Sequence, residues 1–193
     1  MNVTSQLLRN SFAPLAILTG LLASPSAYAA CSGTATSATC NASGATSITS
    51  ISGATGSNPQ LATPYPLNND VSGLTGTITS LQIRLNGLSH DFPRDMDMVL
   101  VAPNGQAFVF WSDVGSGPIT NQTITISDAA ASELPASSSI TSGSFRPANQ
   151  GTFADSFPSP ASVTATGANS ASPFGTATFA SRFNGLTPNG TWK

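Results

Sequence analysis

The sequence predicts an all-β protein, and three stretches support that prediction. Leu81–Asn86 alternates strictly between apolar and polar residues, which is the period of a half-buried strand. Met96–Trp111 is typical of a β-hairpin, because two apolar runs flank Pro103-Asn104-Gly105, whose Asn and Gly accept a positive φ. Thr120–Ile126 alternates again. Strands of this length and spacing indicate an antiparallel β-sandwich.

The N-terminus has the order of a secretory signal peptide. Arg9 precedes an apolar run from Phe12 to Ala23, and Ala27-Tyr28-Ala29 then supplies the small residues of a cleavage site. The apolar run is too short to span a membrane. We therefore expect residues 1–29 to be removed and the protein to be exported to the extracellular space, the periplasm or the cell surface, without a transmembrane span.

Residues 30–63 form a predicted leader that is rich in Ser, Thr, Ala and Gly. From Ser32 to Asn58 the sizeable apolar residues are Ile48 and Ile51, which are too few to bury a core. We therefore expect this stretch to be weakly ordered.

Cys31 and Cys40 are the only two cysteines of the chain. An exported protein meets an oxidising compartment, so we expect a disulfide between them. A lipid-modified Cys31 is the alternative, because the small residues Ala29 and Ala30 precede it.

Residues 64–193 form the predicted globular domain. Between Ser127 and Pro173 the strand pattern decays into a Ser/Pro/Ala/Gly-rich region, which we expect to pack on the surface as an ordered excursion. Phe174–Phe183 is predicted to add one more strand, and no helix is predicted in this domain.

The charge of the chain excludes one class of partner. Six Lys and Arg residues stand against eight Asp and Glu residues, for a net charge of −2, and only 7% of residues are charged. No basic patch exists to neutralise phosphates, which argues against binding of nucleic acid.

Several separated motifs occur in one order along the chain: Gly76–Leu85, Ser89-His90, Asp95–Gly105, Trp111–Gly115, Ser142–Pro147 and Phe183–Trp192. In that order they resemble the P domain, or P/Homo B domain, of subtilisin-like proprotein convertases in its bacterial secreted branch. The resemblance covers residues 64–193 and implies a jelly-roll β-sandwich of the galactose-binding-like type. Because members of that family continue past the Asn-Gly-Thr-Trp turn, it also implies a domain that is incomplete after Lys193.

The resemblance further implies a role beside a subtilisin-like serine endopeptidase domain, whose folding, stability and calcium dependence such a domain supports. The chain itself offers no catalytic residues. His90 is the only histidine available as a base, no G-x-S-x-G motif occurs, and His90 and Asp91 would point to opposite faces of a strand. We expect His90 to be packed and hydrogen-bonded.

The resemblance and the lack of catalytic residues together predict a non-catalytic module that contacts a subtilisin-like catalytic domain or another surface protein. A carbohydrate-binding or adhesive module is the alternative. Phe108, Phe110 and Trp111 could line a sugar groove, although alternating aromatic residues in a strand are also typical of a core.

Asp91, Asp95 and Asp97 form an acidic cluster that suggests a calcium site. Calcium requires several oxygen ligands at once, and carboxylates at a loop-to-strand junction supply them. Asp113 or Asp128 could join from a neighbouring strand end. In the alternative reading Asp95 caps loop amides and Asp97 pairs with Arg84 or Arg94.

Overall fold

The computed structural model describes residues 30–41 and 61–193, so the predicted signal peptide lies outside the described residues. Almost all of its regular structure is β, which confirms the all-β prediction and is consistent with a β-sandwich. The elements are β1 Ala30–Thr34, β2 Ser37–Asn41, β3 Asn69–Val71, β4 Gln82–His90, a 3-10 turn Pro93–Asp95, β5 Met98–Val101, β6 Ala107–Ser112, β7 Ile119–Ser127, β8 Gly143–Phe145, β9 Ala148–Asn149, β10 Ser156–Phe157, β11 Val163–Thr164, α1 Phe179–Phe183 and β12 Gly190–Trp192.

Two three-stranded sheets, β4-β7-β8 and β5-β6-β9, form the centre of the domain. In each sheet an antiparallel pair of long strands is extended by a short parallel strand. The short strands β8 and β9 both lie in the stretch Ser127–Pro173, which was predicted to be a surface excursion. That prediction is wrong for this part of the stretch, because Ala148 and Asn149 of β9 are fully buried beside β6.

The hydrophobic core surrounds β6, all six residues of which are buried. Phe108 packs edge-on against Phe179, with ring centroids 5.0 Å apart, and Phe183 lies next to both rings. Burying a side chain of this size contributes about 1.5–3 kcal/mol relative to leaving it exposed. The core therefore depends on contacts between β6 and the segment that carries α1.

The predicted strand at Phe174–Phe183 is wrong, because the structure has no strand there and its last five residues form the helix α1. Thr178 and Ser181 form a capping box, and the carboxylate of Asp128 accepts hydrogen bonds from the N–H groups of Phe179 and Ala180. These four interactions satisfy amides that a helix start leaves free. Within the described residues no helix is long and apolar enough to cross a membrane.

Residues 30–41 form a hairpin of β1 and β2 that is closed by a disulfide between Cys31 and Cys40. The hairpin is attached to the domain by hydrogen bonds from the Thr75 N–H to the Ala35 carbonyl at 2.9 Å and from Asn69 Nδ2 to the Cys40 carbonyl at 3.3 Å. Both half-cystines also pack against the core. The prediction that the leader is weakly ordered is therefore wrong for residues 30–41. This hairpin has no apolar core of its own, and the disulfide and the contacts with the core of the domain hold it in place.

The strand β12 lies between β3 and the β5-β6 hairpin. Trp192 pairs with Asn69 on one side, and Lys193 exchanges two backbone hydrogen bonds with Val101 on the other, at 2.9 and 3.0 Å. Gly190 has a φ of 127°, and a Cβ there would lie 2.7 Å from the Cβ of Pro103. A glycine is therefore needed for β12 to approach the hairpin turn so closely.

Candidate metal site

Three aspartates converge at one end of the β5-β6 hairpin. Asp97 directly precedes β5, Asp113 directly follows β6, and Asp155 directly precedes β10. Because β5 and β6 are antiparallel, with Met98 opposite Trp111, the start of one strand lies beside the end of the other. Each aspartate offers a carboxylate oxygen, and these oxygens all lie within 4.8 Å of one another.

The hydroxyl of Ser112 is the main hydrogen-bond donor to this cluster. Ser112 is fully buried, and its Oγ donates to Oδ2 of Asp155 at 2.8 Å and lies 3.4 Å from Oδ2 of Asp113. One hydroxyl proton therefore serves several carboxylates. Asp113 itself has a φ of 54°, in the left-handed region, which aspartate adopts more readily than most residues.

A glycine leaves room for the carboxylate of Asp113. The N–H of Gly151 donates to Oδ1 of Asn149 at 2.9 Å, and Asn149 is fully buried. A Cβ at Gly151 would collide with Oδ2 of Asp113 and would lie 3.1 Å from Oδ1 of Asn149. The loop after β9 therefore approaches the acidic cluster so closely that a side chain at position 151 would require the carboxylate of Asp113 to move.

The electrostatics of the cluster favour either a proton or a cation. Asp97 is exposed as a whole residue, but its carboxyl group lies close to the carboxyl groups of Asp113 and Asp155. Desolvation, together with the negative charges of Asp155 and Asp113, raises the pKa of Asp97 to about 6. The hydrogen bond from the Ser112 hydroxyl acts in the opposite direction and lowers this pKa. Desolvation and then the charge of Asp155 also raise the pKa of Asp113, while Ser112 and Arg94 lower it. Among residues 30–41 and 61–193, the one ion pair joins Arg146 and Glu133.

The donor set suits a hard cation. All three side chains offer oxygen, and calcium takes six to eight oxygen ligands from carboxylates, carbonyls and water. Nitrogen and sulfur ligands, which zinc and copper prefer, are absent from this group. The residues present therefore fit a hard divalent cation such as calcium, magnesium or manganese better than zinc or copper.

The structure brings together a different set of aspartates from the one predicted. Of Asp91, Asp95 and Asp97, only Asp97 belongs to the cluster. The 3-10 turn, in which Pro93 is buried, follows Asp91 and ends at Asp95, so the three residues do not lie on one continuous strand. The acidic cluster of the structure therefore consists of Asp97, Asp113 and Asp155, and it contains neither Asp91 nor Asp95.

The two aspartates proposed as additional ligands have different roles. Asp113, which follows the end of β6, belongs to the cluster. Asp128 instead accepts hydrogen bonds from the backbone N–H groups at the start of α1. Asp155 could not be predicted from the sequence, because it lies in a Ser/Pro/Ala-rich stretch without strand periodicity. Neither Arg84 nor Arg94 forms an ion pair with Asp97 in the described part of the chain.

His90 and the aromatic residues of β6 are engaged in hydrogen bonding and packing within the fold. His90 is half-buried, and its Nδ1 accepts the N–H of Phe92 at 3.1 Å, which occupies the lone pair that a general base would use. Phe108, Phe110 and Trp111 are 0%, 4% and 0% exposed, so they form core and do not line a sugar groove.

The fold and this cluster together define an all-β protein with a candidate site for a hard cation. No protein-family model, no curated protein and no solved structure matches the chain.

Proposed function

We propose that this protein is a non-catalytic exported module of the P/Homo B type, the type associated with subtilisin-like serine endopeptidases and proteolysis. It contributes to proteolysis by contact, either by packing on a subtilisin-like catalytic domain or by binding another surface protein. The jelly-roll arrangement is part of this proposal, and the two three-stranded sheets with one shared core support it.

The positions of the motif residues support a structural role for the motifs. Trp111 donates from Nε1 to the Pro93 carbonyl at 3.3 Å, and Trp192 donates from Nε1 to the Pro188 carbonyl at 2.8 Å. The side chain of Asn189 bonds both the N–H and the C=O of Leu74, at 3.0 and 2.8 Å. Side chains of the motifs are thus engaged in holding loops and strands together.

The proposed module is ordered by calcium at Asp97, Asp113 and Asp155. The observation that carries this part is the approach of three carboxylates to within 4.8 Å of one another with a single hydroxyl donor shared among them. Calcium, when bound, would neutralise these charges and cross-link the start of β5, the end of β6 and the loop before β10.

The lack of catalysis is tested with casein as the substrate. We expect the purified protein to leave casein intact both with and without calcium. Hydrolysis by the wild type that is lost in His90→Ala would overturn the non-catalytic assignment, and the same hydrolysis in both proteins would indicate a contaminating protease.

The contact role is tested with an isolated subtilisin-like catalytic domain as the probe. The half-life of its activity at elevated temperature should be longer in the presence of the folded protein than in the presence of the same protein reduced and unfolded. Equal half-lives in the two mixtures would contradict a stabilising contact and would leave a surface partner as the remaining role.

A further inference from the structure

We propose that residues 30–41, which we call the strap, are a redox-controlled cover that a dithiol releases by reducing the Cys31–Cys40 disulfide. Release leaves the domain folded and uncovers the loop 72–75, against which the strap lies. The proposal is independent of the proposed function and of the cation site, because it involves none of the three aspartates.

The two half-cystines form the main attachment of the strap. Cys31 and Cys40 lie opposite each other in the β1-β2 ladder, and both are half-buried against the core of the domain. Residues 32–39 and 41 are all exposed. The cross-linked pair is therefore the part of the strap that contributes apolar contact, and it does so in one fixed arrangement.

The polar contacts of the strap with the domain are few. The Ala35 carbonyl accepts hydrogen bonds from the N–H of Thr75 at 2.9 Å and from its Oγ1 at 3.4 Å. The Cys40 carbonyl accepts from Nδ2 of Asn69 at 3.3 Å. Because an isolated two-stranded hairpin is marginally stable in water, we expect the strap to unpair and detach once its cross-link is opened.

The attached strap also leaves a buried polar atom without a partner. Asn69 donates to the strap from Nδ2, while its Oδ1 is buried and accepts no hydrogen bond from the described residues. A buried oxygen without a donor costs free energy, and water supplies that donor when the strap leaves. Asn69 therefore favours the released state over the attached state.

The boundary of the release lies between two adjacent residues. The N–H of Thr75 is bonded to Ala35 of the strap. The N–H of Leu74 is bonded instead to Oδ1 of Asn189 at 3.0 Å, and Nδ2 of Asn189 donates to the Leu74 carbonyl at 2.8 Å. The loop is thus held by the domain on its other side, and it stays in place when the strap detaches.

A cavity beside the disulfide gives a reductant access to it. Cys31 lines a surface cavity of about 150 Å³ between the strap and the loop Ser72–Leu74. A thiolate of the dithiol attacks Sγ of Cys31, which breaks the S–S bond and releases Cys40 as a thiolate that takes up a proton. The second thiol of the reductant then attacks the mixed disulfide, so that the protein is left with two thiols and the reductant becomes a disulfide.

The test is amide hydrogen exchange, followed by NMR, of the purified protein with and without dithiothreitol. Excess EDTA in both samples keeps the result independent of any bound cation. We expect reduction to accelerate the exchange of the Thr75 N–H by at least about tenfold, and that of the Leu74 and Val109 N–H groups by less than about twofold. Val109 reports on the core, because it lies in β6 and donates to the Asn169 carbonyl at 2.8 Å.

Two variants separate the cross-link from the other contacts of the strap. Cys31→Ser/Cys40→Ser should exchange at Thr75 like the reduced wild type, and dithiothreitol should not change it further. Asn69→Ala, the matched control, loses a hydrogen bond to the strap but keeps the disulfide. Its Thr75 exchange in the oxidised state should stay within about threefold of the wild type, because a single neutral hydrogen bond contributes little.

Five results would overturn the proposal. Thr75 could remain protected after reduction, or it could lack protection in the oxidised protein. Leu74 and Val109 could lose protection together with Thr75, which would make the disulfide a stabiliser of the whole domain. Dithiothreitol could leave the disulfide of the folded protein intact, as measured by mass, or it could accelerate Thr75 exchange in Cys31→Ser/Cys40→Ser as well.

Discussion

The hydroxyl of Ser112 donates a hydrogen bond of 2.8 Å to Oδ2 of Asp155, which lies 43 residues away in the chain. This bond holds the loop before β10 against the end of β6. The loop therefore brings one of the three carboxylates to the acidic cluster. Because the three aspartates are far apart in the sequence, the cluster forms only when the domain is folded.

Removal of that hydroxyl should loosen the cluster. In Ser112→Ala we expect the free energy of unfolding in urea to fall by about 1–3 kcal/mol, because a buried hydrogen bond to a charged acceptor is lost. Ser144→Ala is the matched control, since Ser144 is exposed, and it should stay within about 0.5 kcal/mol of the wild type. Equal effects of the two substitutions would contradict the role assigned to Ser112.

A side chain at Gly151 should disturb the site by steric conflict. Gly151→Ala places a methyl group against the carboxylate of Asp113, so we expect a loss of about 1–3 kcal/mol in unfolding free energy and a reduced calcium response. Gly167→Ala is the control, because a Cβ at Gly167 meets nothing within 4 Å. A stable Gly151→Ala protein with an unchanged calcium response would show that the loop does not approach Asp113 closely.

The stability of the calcium-free protein should depend on the ionisation of Asp97. Its pKa is raised to about 6 in the folded protein, against about 3.9 in an unfolded chain. The folded state thus holds the proton more tightly, and the unfolding free energy should fall as the pH rises from about 4 through about 6.

Urea unfolding in EDTA at pH 4.5 and pH 7 measures this effect. Between these two pH values the unfolding free energy of the wild type should fall by about 1 kcal/mol more than that of Asp97→Asn. This value allows for the screening that solvent exposure of Asp97 causes. The pH dependence of the unfolding free energy that remains in Asp97→Asn is assigned to Asp113, whose pKa is raised as well. Identical pH profiles for the two proteins would contradict the raised pKa.

The long alternating strands could be predicted from the sequence because their burial is periodic. Leu81–Asn86 lies within β4 apart from its first residue, and the hairpin around Asn104-Gly105 joins β5 and β6. The short parallel strands β8 and β9 could not be predicted in this way. Two or three residues are too few to display a period, and their pairing depends on strands that lie far away in the sequence.

The acidic site was predictable only in part for the same reason. Asp97 and Asp113 flank the hairpin, so their proximity follows from its antiparallel pairing. Asp155 approaches them through the packing of an irregular segment, which no local pattern encodes. Asp91 is close in sequence to Asp97, but the 3-10 turn at Pro93–Asp95 intervenes and only Asp97 belongs to the cluster.

Thermal unfolding with and without calcium tests the central claim most directly. At a calcium concentration about 100 times the Kd, the melting temperature of the wild type should rise by about 5–10 °C relative to EDTA. Asp91→Asn, outside the cluster, should respond like the wild type, whereas Asp113→Asn should lose most of the response. A wild-type melting temperature that calcium leaves unchanged, or a response that Asp91→Asn abolishes and Asp113→Asn retains, would contradict calcium binding at Asp97, Asp113 and Asp155.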